Sequence, residues 1–247
     1  MACLPSTVNM EFIVDLFMRK SKLEKLWEGN KPLPNLKRMH LSCSVNLKEL
    51  PDLSTATNLQ KLDLGECSSL VKLPSSIGNA KTLFLAGCSS LVELPSFIGN
   101  AINLEELYLY NCSSLVKLPS SIGNATNLEK LYLNGCSSLV KLPSSIGNAS
   151  SLKKLCLAGY SSLVKFPFIE NASKLKYLDL SNVSNLLEVP SSIGNATNLK
   201  VLNLRNCSNL VELPLFIGNL QKLQVLILNG CSKLKVLPTK HQLGISR

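Results

Sequence analysis

The residues of this sequence best equipped for chemistry are its nine cysteines, and six of them recur at one spacing. Cys67, Cys88, Cys112, Cys136, Cys207 and Cys231 occupy the same place in a repeating unit, 21 to 24 residues apart in the contiguous run. A zinc centre draws on close pairs of ligands that converge on one ion, and no CxxC occurs in the chain. A disulfide needs two sulfurs that face each other, whereas residues at one repeat position project in parallel. The spacing therefore predicts a column of buried free thiols in a reducing compartment. Cys156 falls at an outward-facing strand position between two core leucines rather than in the column, and is expected to be an exposed thiol.

Other catalytic chemistry has little to draw on. Only two histidines occur, His40 and His241, too few for an evident acid–base pair or triad. Serine is abundant because the strings CSS and PSS recur. The segment GNAKT at Gly78 to Thr82 resembles a phosphate loop only superficially, since GxxxxGK[ST] needs glycine directly before lysine and Ala80 stands there. No enzyme, cofactor or metal site is expected.

Composition narrows the class further. The 247 residues are 45% hydrophobic and 17% charged, with a formal net charge of +10. That apolar content can bury a core and excludes a disordered polymer. No apolar run approaches the roughly 18 residues of a membrane span, and the opening residues interleave Glu11 and Asp15 with apolar residues and lack the basic start and apolar block of a secretory signal. Basic residues gather near the start (Arg19, Lys20, Lys22, Lys25) and the end (Lys222, Lys233, Lys235, Lys240, Arg247). No basic–aromatic signature of a nucleic-acid module accompanies them, so neither nucleic acid nor membrane is an expected partner. Seven N-x-S/T sequons, from Asn111 to Asn206, follow from the repeated NCSS and GNAT strings.

These residues are positioned by a repeat. Leu104–Asn127 reads LEELYLYNCSSLVKLPSSIGNATN and Leu128–Ser151 reads LEKLYLNGCSSLVKLPSSIGNASS. With the first leucine as position 1, leucines fall at 4, 6, 12 and 15, cysteine at 9 and proline at 16. Ten units start at Ile13, Leu36, Leu59, Ala80, Leu104, Leu128, Leu152, Leu175, Leu199 and Leu223, with spacings of 21 to 24 residues. This is the leucine-rich-repeat pattern. Positions 4 and 6 point inward on a short strand while 3, 5 and 7 face outward. In LPSSIGN the proline opens a turn, isoleucine packs inward and glycine closes it. No unit has room for a long helix. The expected fold is an α/β leucine-rich-repeat solenoid, with a parallel sheet on the concave face and irregular or 3₁₀ structure on the convex side. Residues 1–12 read as a lead-in, 13–238 as the solenoid and 239–247 as a non-repeat tail. Three residues are missing before Ala80, which predicts a tight, under-packed convex loop there. No polar cap is evident at the end of the repeats, so the chain reads as part of something larger.

Position 5 carries Phe17, His40, Asp63, Phe84, Tyr108, Tyr132, Cys156, Asp179, Asn203 and Ile227. Phe84, Tyr108 and Tyr132 thus stand in one column, with Tyr110 beside them and Glu105, Glu106 and Lys130 around them. Two readings remain open: a protein-binding centre or a self-stacking ladder that stabilises the sheet. The binding reading expects these rings to be exposed.

The stretch from Glu11 to Leu62, with SKLEKLWEGNKPLPNLKRMHLSCSVNLKELPDLSTATNL, together with the later CSSLVxLPSSIGNATN units, resembles the repeat region of plant intracellular TIR-type nucleotide-binding disease-resistance proteins. The resemblance implies a cytoplasmic or nucleocytoplasmic protein-recognition module whose partner is a pathogen effector or the receptor's own switch domain. The TIR and nucleotide-binding domains of that family are absent from these residues, so their NAD and nucleotide chemistry does not carry over. The alternative is a secreted or cell-surface repeat ectodomain, or an inhibitor-like scaffold.

Overall fold

The computed structural model describes residues 3–5, 7–167 and 169–235; the expected tail 239–247 and the last residues of the tenth repeat lie outside them. Each unit contributes one three-residue strand, in chain order β1 Asp15–Phe17, β2 Arg38–His40, β3 Lys61–Asp63, β4 Thr82–Phe84 and β5 Glu106–Tyr108. The second half supplies β6 Lys130–Tyr132, β7 Lys154–Cys156, β8 Tyr177–Asp179, β9 Val201–Asn203 and β10 Val225–Ile227. All ten pair in parallel with their sequence neighbours, in the order β1 to β10. Like positions meet across every junction; Leu107, for example, pairs with Leu131 and Leu131 with Leu155.

The leucine spacing explains this register. Leu131, Leu133, Leu139 and Leu142 of one unit are buried, and their equivalents in neighbouring units form one continuous core. A one-residue slip would turn every strand leucine to water. No α-helix occurs among the described residues. The convex side is built instead from 3₁₀ segments, Ser75–Asn79, Ser96–Asn100, Ser120–Asn124, Ser144–Asn148, Ala172–Lys174, Ser191–Asn195 and Leu215–Asn219. Except before Ala172–Lys174, each starts after a proline in extended conformation, a position where a missing N–H is harmless. Asparagine side chains tie successive units together, Asn58 Nδ2 donating to Pro34 O at 2.7 Å and Asn198 Nδ2 to Ser173 O at 2.7 Å.

The shortened unit is absorbed on the convex side alone. The Ala80 amide donates to Ile77 O at 3.1 Å, closing the 3₁₀ segment, and β4 begins two residues later. Leu83 still pairs in register with Leu62 and Leu107.

The cysteine column is present and explains its own composition. Cys67, Cys88, Cys112, Cys136 and Cys207 are buried, Cys231 is partly so, and all are free thiols. Each donates its S–H to the position-6 carbonyl of the preceding unit, as Cys112 Sγ does to Leu85 O and Cys136 Sγ to Leu109 O, both at 3.0 Å. Ser44 takes this place in the second unit and makes the same bond, Oγ to Met18 O at 3.2 Å. Position 9 therefore selects a small side chain with one donor. Tyr160 departs from it: the side chain is fully buried and its hydroxyl has no hydrogen-bond partner among the described residues.

One determinant went unread in the sequence. Position 8, where the chain leaves each strand, has positive φ in all ten units. Gly87, Gly135, Gly159 and Gly230 occupy it in four, Asn111, Asn182 and Asn206 in three, and Lys20, Cys43 and Glu66 in the first three. Glycine and asparagine are the residues that enter the left-handed region at least cost, so their alternation at this position marks the corner.

Candidate recognition surface on the concave sheet

Because strand leucines fill the interior, side chains at positions 3 and 5 stand on the outer sheet face. Phe84, Tyr108 and Tyr132 lie on β4, β5 and β6 as direct register partners. Their rings are stacked, with centroids 4.3 Å and 4.6 Å apart and planes within 9° of parallel. Tyr110, two residues beyond Tyr108, meets it edge-on at 6.4 Å and 89°. Parallel strands lie close to the stacking distance of aromatic rings, so rings in adjacent units align without adjustment. The stack corrects one expectation: Phe84, Tyr108 and Tyr132 are half-buried rather than exposed. Neighbouring rings cover their faces and leave the edges to solvent. Tyr110 is exposed.

Charges organise around the stack. Glu106 and Lys130 are register partners at position 3 and bond at 2.7 Å, Nζ to Oε1. The Tyr108 hydroxyl donates to Glu106 Oε2 at 2.7 Å. Partial burial disfavours the charged form of Glu106, but the Lys130 and Tyr108 hydrogen bonds outweigh it and hold the carboxyl below its ordinary range. Lys130 is held above its ordinary range, first by the bond to Glu106. Burial and then the Glu106 bond push the Tyr108 phenol up. Glu105 sits just before β5 and turns to Lys81 instead, at 3.5 Å.

Two cations that sequence reasoning missed close the array. Lys61 Nζ lies 4.7 Å from the Phe84 ring centre, and Lys154 Nζ lies 5.1 Å from that of Tyr132. Lys154 also reaches the Tyr177 ring at 4.5 Å. Both lysines are at position 3 of strands next to an aromatic residue, so reading the position-3 and position-5 columns together would have found them. Cys156 is 4% exposed; it stands between its register partners Tyr132 and Asp179, two residues after the Lys154 that lies over the Tyr132 and Tyr177 rings. The expectation of an exposed thiol is corrected: a short side chain between taller neighbours lies in a trough, and burial pushes its pKa up to about 12. Toward the start of the sheet, Phe17 stacks on His40 at 4.8 Å, and His40 Nδ1 lies 3.3 Å from Asp63 Oδ2. Among the described residues no group of three or more His, Cys, Asp or Glu could hold a metal ion, and no helix is long and apolar enough to cross a membrane.

Leucine Rich Repeat family models match residues 14–31, 58–80, 103–125, 127–149 and 198–220. The fold is a leucine-rich-repeat solenoid. A leucine-rich-repeat protein of Leptospira interrogans superposes on the solenoid with a TM-score of 0.70 and 30% identity, over 90% of this chain and 56% of that one. The leucine-rich-repeat domain of the type III effector XopL superposes with a TM-score of 0.58 and 26% identity, over 87% of this chain and 76% of that one. In sequence, the chain is similar to Disease resistance protein TAO1 of Arabidopsis thaliana, 66% identical over 79 residues, which are 32% of this chain and 7% of that protein. Probable disease resistance protein RPP1 of the same plant is 69% identical over 75 residues, 30% of this chain and 6% of that protein. About a third of the chain is thus similar to repeats of plant disease-resistance proteins, and the matched part spans less than a tenth of the length of each.

Proposed function

We propose that the solenoid is a non-catalytic protein-recognition module of the kind found in plant disease-resistance receptors, acting in the cytoplasm or between cytoplasm and nucleus. The unit that acts is taken as residues 13–238, whose last three residues lie outside the described region, with 1–12 as a lead-in. Its ligand is a protein, either a pathogen effector or a switch domain of the receptor. The centre of the contact is Phe84, Tyr108, Tyr110 and Tyr132, framed by Glu105, Glu106 and Lys130.

The observation that carries this reading is the ring stack on a preformed sheet. The rings are already immobilised by one another and by Lys61 and Lys154, so docking against their edges orders little that is still free. Aromatic anchors of this kind often account for most of an interface's energy. The surrounding charges are set to govern encounter rate and selectivity. The names of the similar plant proteins support the immune setting, and the column of free thiols supports a reducing compartment.

The test is co-purification of the chain with a panel of effector proteins and with the nucleotide-binding region of a similar disease-resistance protein. Parent protein is expected to retain at least one of them, and the pair Tyr108→Ala and Tyr132→Ala, in a chain that still melts cooperatively, to lose it. Retention by the variant equal to that of the parent assigns the stack to sheet stability alone and removes the proposed site.

A further inference from the structure

A second surface is built on the flank of the solenoid, away from the ring stack. Position 13 is aliphatic in seven consecutive units, from Val71 to Val211, and every one of these residues is 39–60% exposed. Backbone bonds hold the row together: Val140 N–H donates to Val116 O at 3.0 Å and Val211 N–H to Leu187 O at 3.3 Å. The row is closed by the Lys48–Glu24 ion pair at one end and by Lys235 at the other. Isolated exposed aliphatics are ordinary, but a contiguous file of them on a folded surface marks a contact.

The neighbouring row, position 14, says what covers it. Its last four charged members are Lys141, Lys165, Glu188 and Glu212, two positive charges followed by two negative. Lys165 and Glu188 bond to each other at 3.1 Å. Lys141 and Glu212 have no ion-pair partner among the described residues. Such an order is complementary to itself when reversed. We infer that a second copy of this chain covers this flank, related by a two-fold axis between the Lys165 and Glu188 units.

In that arrangement Lys141 of each copy faces Glu212 of the other, and Lys165 faces Glu188. The two charges left unpaired in one chain are then those that meet across the axis. Val140 lies opposite Val211, and Val164 opposite Leu187, so the last four residues of the apolar file close on one another, with Val116 meeting Lys235 at the edge of the contact. Two neighbouring placements fit these residues less well. An axis between Lys117 and Lys141 sets lysine against lysine, which costs affinity. The earlier run Glu49, Lys72, Glu93 and Lys117 is also self-complementary in charge, but it places Lys48 against Val116 and breaks the apolar contact.

The experiment is sedimentation equilibrium of the full chain over a range of concentrations, at low and at physiological salt. The parent is expected to dimerise, and Val164→Asp with Leu187→Asp to weaken the dimer by about tenfold or more. Two charge variants test the pairing of this row with its copy, one carrying Lys141→Glu and Lys165→Glu, the other Glu188→Lys and Glu212→Lys. Each is expected to be monomeric alone, and the two to dimerise when mixed. All four charge positions are solvent-facing, so these variants decide the matter even if the aspartate pair unfolds. A parent that stays monomeric throughout, or charge variants that self-associate as tightly as the parent, overturns the assignment of a second copy to this flank.

Discussion

Gly123, in the 3₁₀ segment Ser120–Asn124, lies so close to the carbonyl oxygen of Ser145 in the next segment that a Cβ there would overlap it. Gly99 stands in the same relation to Ser121. The serine completes the joint from its own side, Ser145 Oγ donating back to Ser120 O at 2.5 Å. Neither Gly99 nor Gly123 has positive φ. Glycine in the SIGN string is therefore selected by the approach of the next repeat's backbone, and only secondarily by its place at the end of a turn.

Gly123→Ala is expected to force successive convex segments apart and destabilise the chain by about 1–3 kcal/mol. Gly159→Asn is the control. That residue has positive φ, and a Cβ there would meet only the Gly135 amide nitrogen at 4.0 Å; asparagine already fills the equivalent place at Asn111, Asn182 and Asn206. Urea denaturation should show the alanine variant clearly less stable and the asparagine variant close to the parent; the reverse order would place the constraint in the backbone angle.

Thiol reactivity should separate the cysteines by burial. Desolvation pushes Cys112 up to about 12, Cys136 to about 11 and Cys156 to about 12. Since the thiolate is the reactive form, alkylation of the native protein at mildly alkaline pH should label Cys3 and Cys43, which are partly exposed. The other three should react only on unfolding, as mass spectrometry of the digested protein would show. Lys154→Ala should open the trough and speed labelling of Cys156 alone. Unchanged labelling in that variant would mean that Tyr132 and Tyr177 suffice to cover the sulfur.

The Glu106–Lys130 pair should leave a signature in acid. Its carboxyl has a folded-state pKa below the ordinary 4.5, so its contribution is fully present above that value and is lost as pH falls through the folded pKa. Lys130 titrates above its ordinary 10.5, and its contribution is lost only as pH rises beyond that. Glu106→Gln should thus cost about 0.5–1 kcal/mol at neutral pH, the scale of a partly exposed ion pair. The difference in melting temperature between variant and parent should shrink below pH 4.5 and vanish once the parent's carboxyl is protonated in both states. A difference that persists undiminished in acid would assign the effect to packing against Tyr108.

The leucine period alone decided the strand register, the parallel order and the buried thiol column, because each unit can cover its apolar residues only by stacking on a neighbour in the same frame. It also placed Phe84, Tyr108 and Tyr132 in one file, since residues at one position of consecutive units must be adjacent across the sheet. Heights and gaps between units were decided by the tertiary structure. Cys156 is buried between its register partners Tyr132 and Asp179, 24 and 23 residues away in the chain, a fact set by the reach of side chains on adjacent strands. The left-handed corner at position 8 was written in the alternation of glycine and asparagine, yet its generality became visible only when Lys20, Cys43 and Glu66 took the same conformation. A repeat period specifies which residues are neighbours; how far each side chain reaches over the next depends on its length and on what the adjacent unit places beside it.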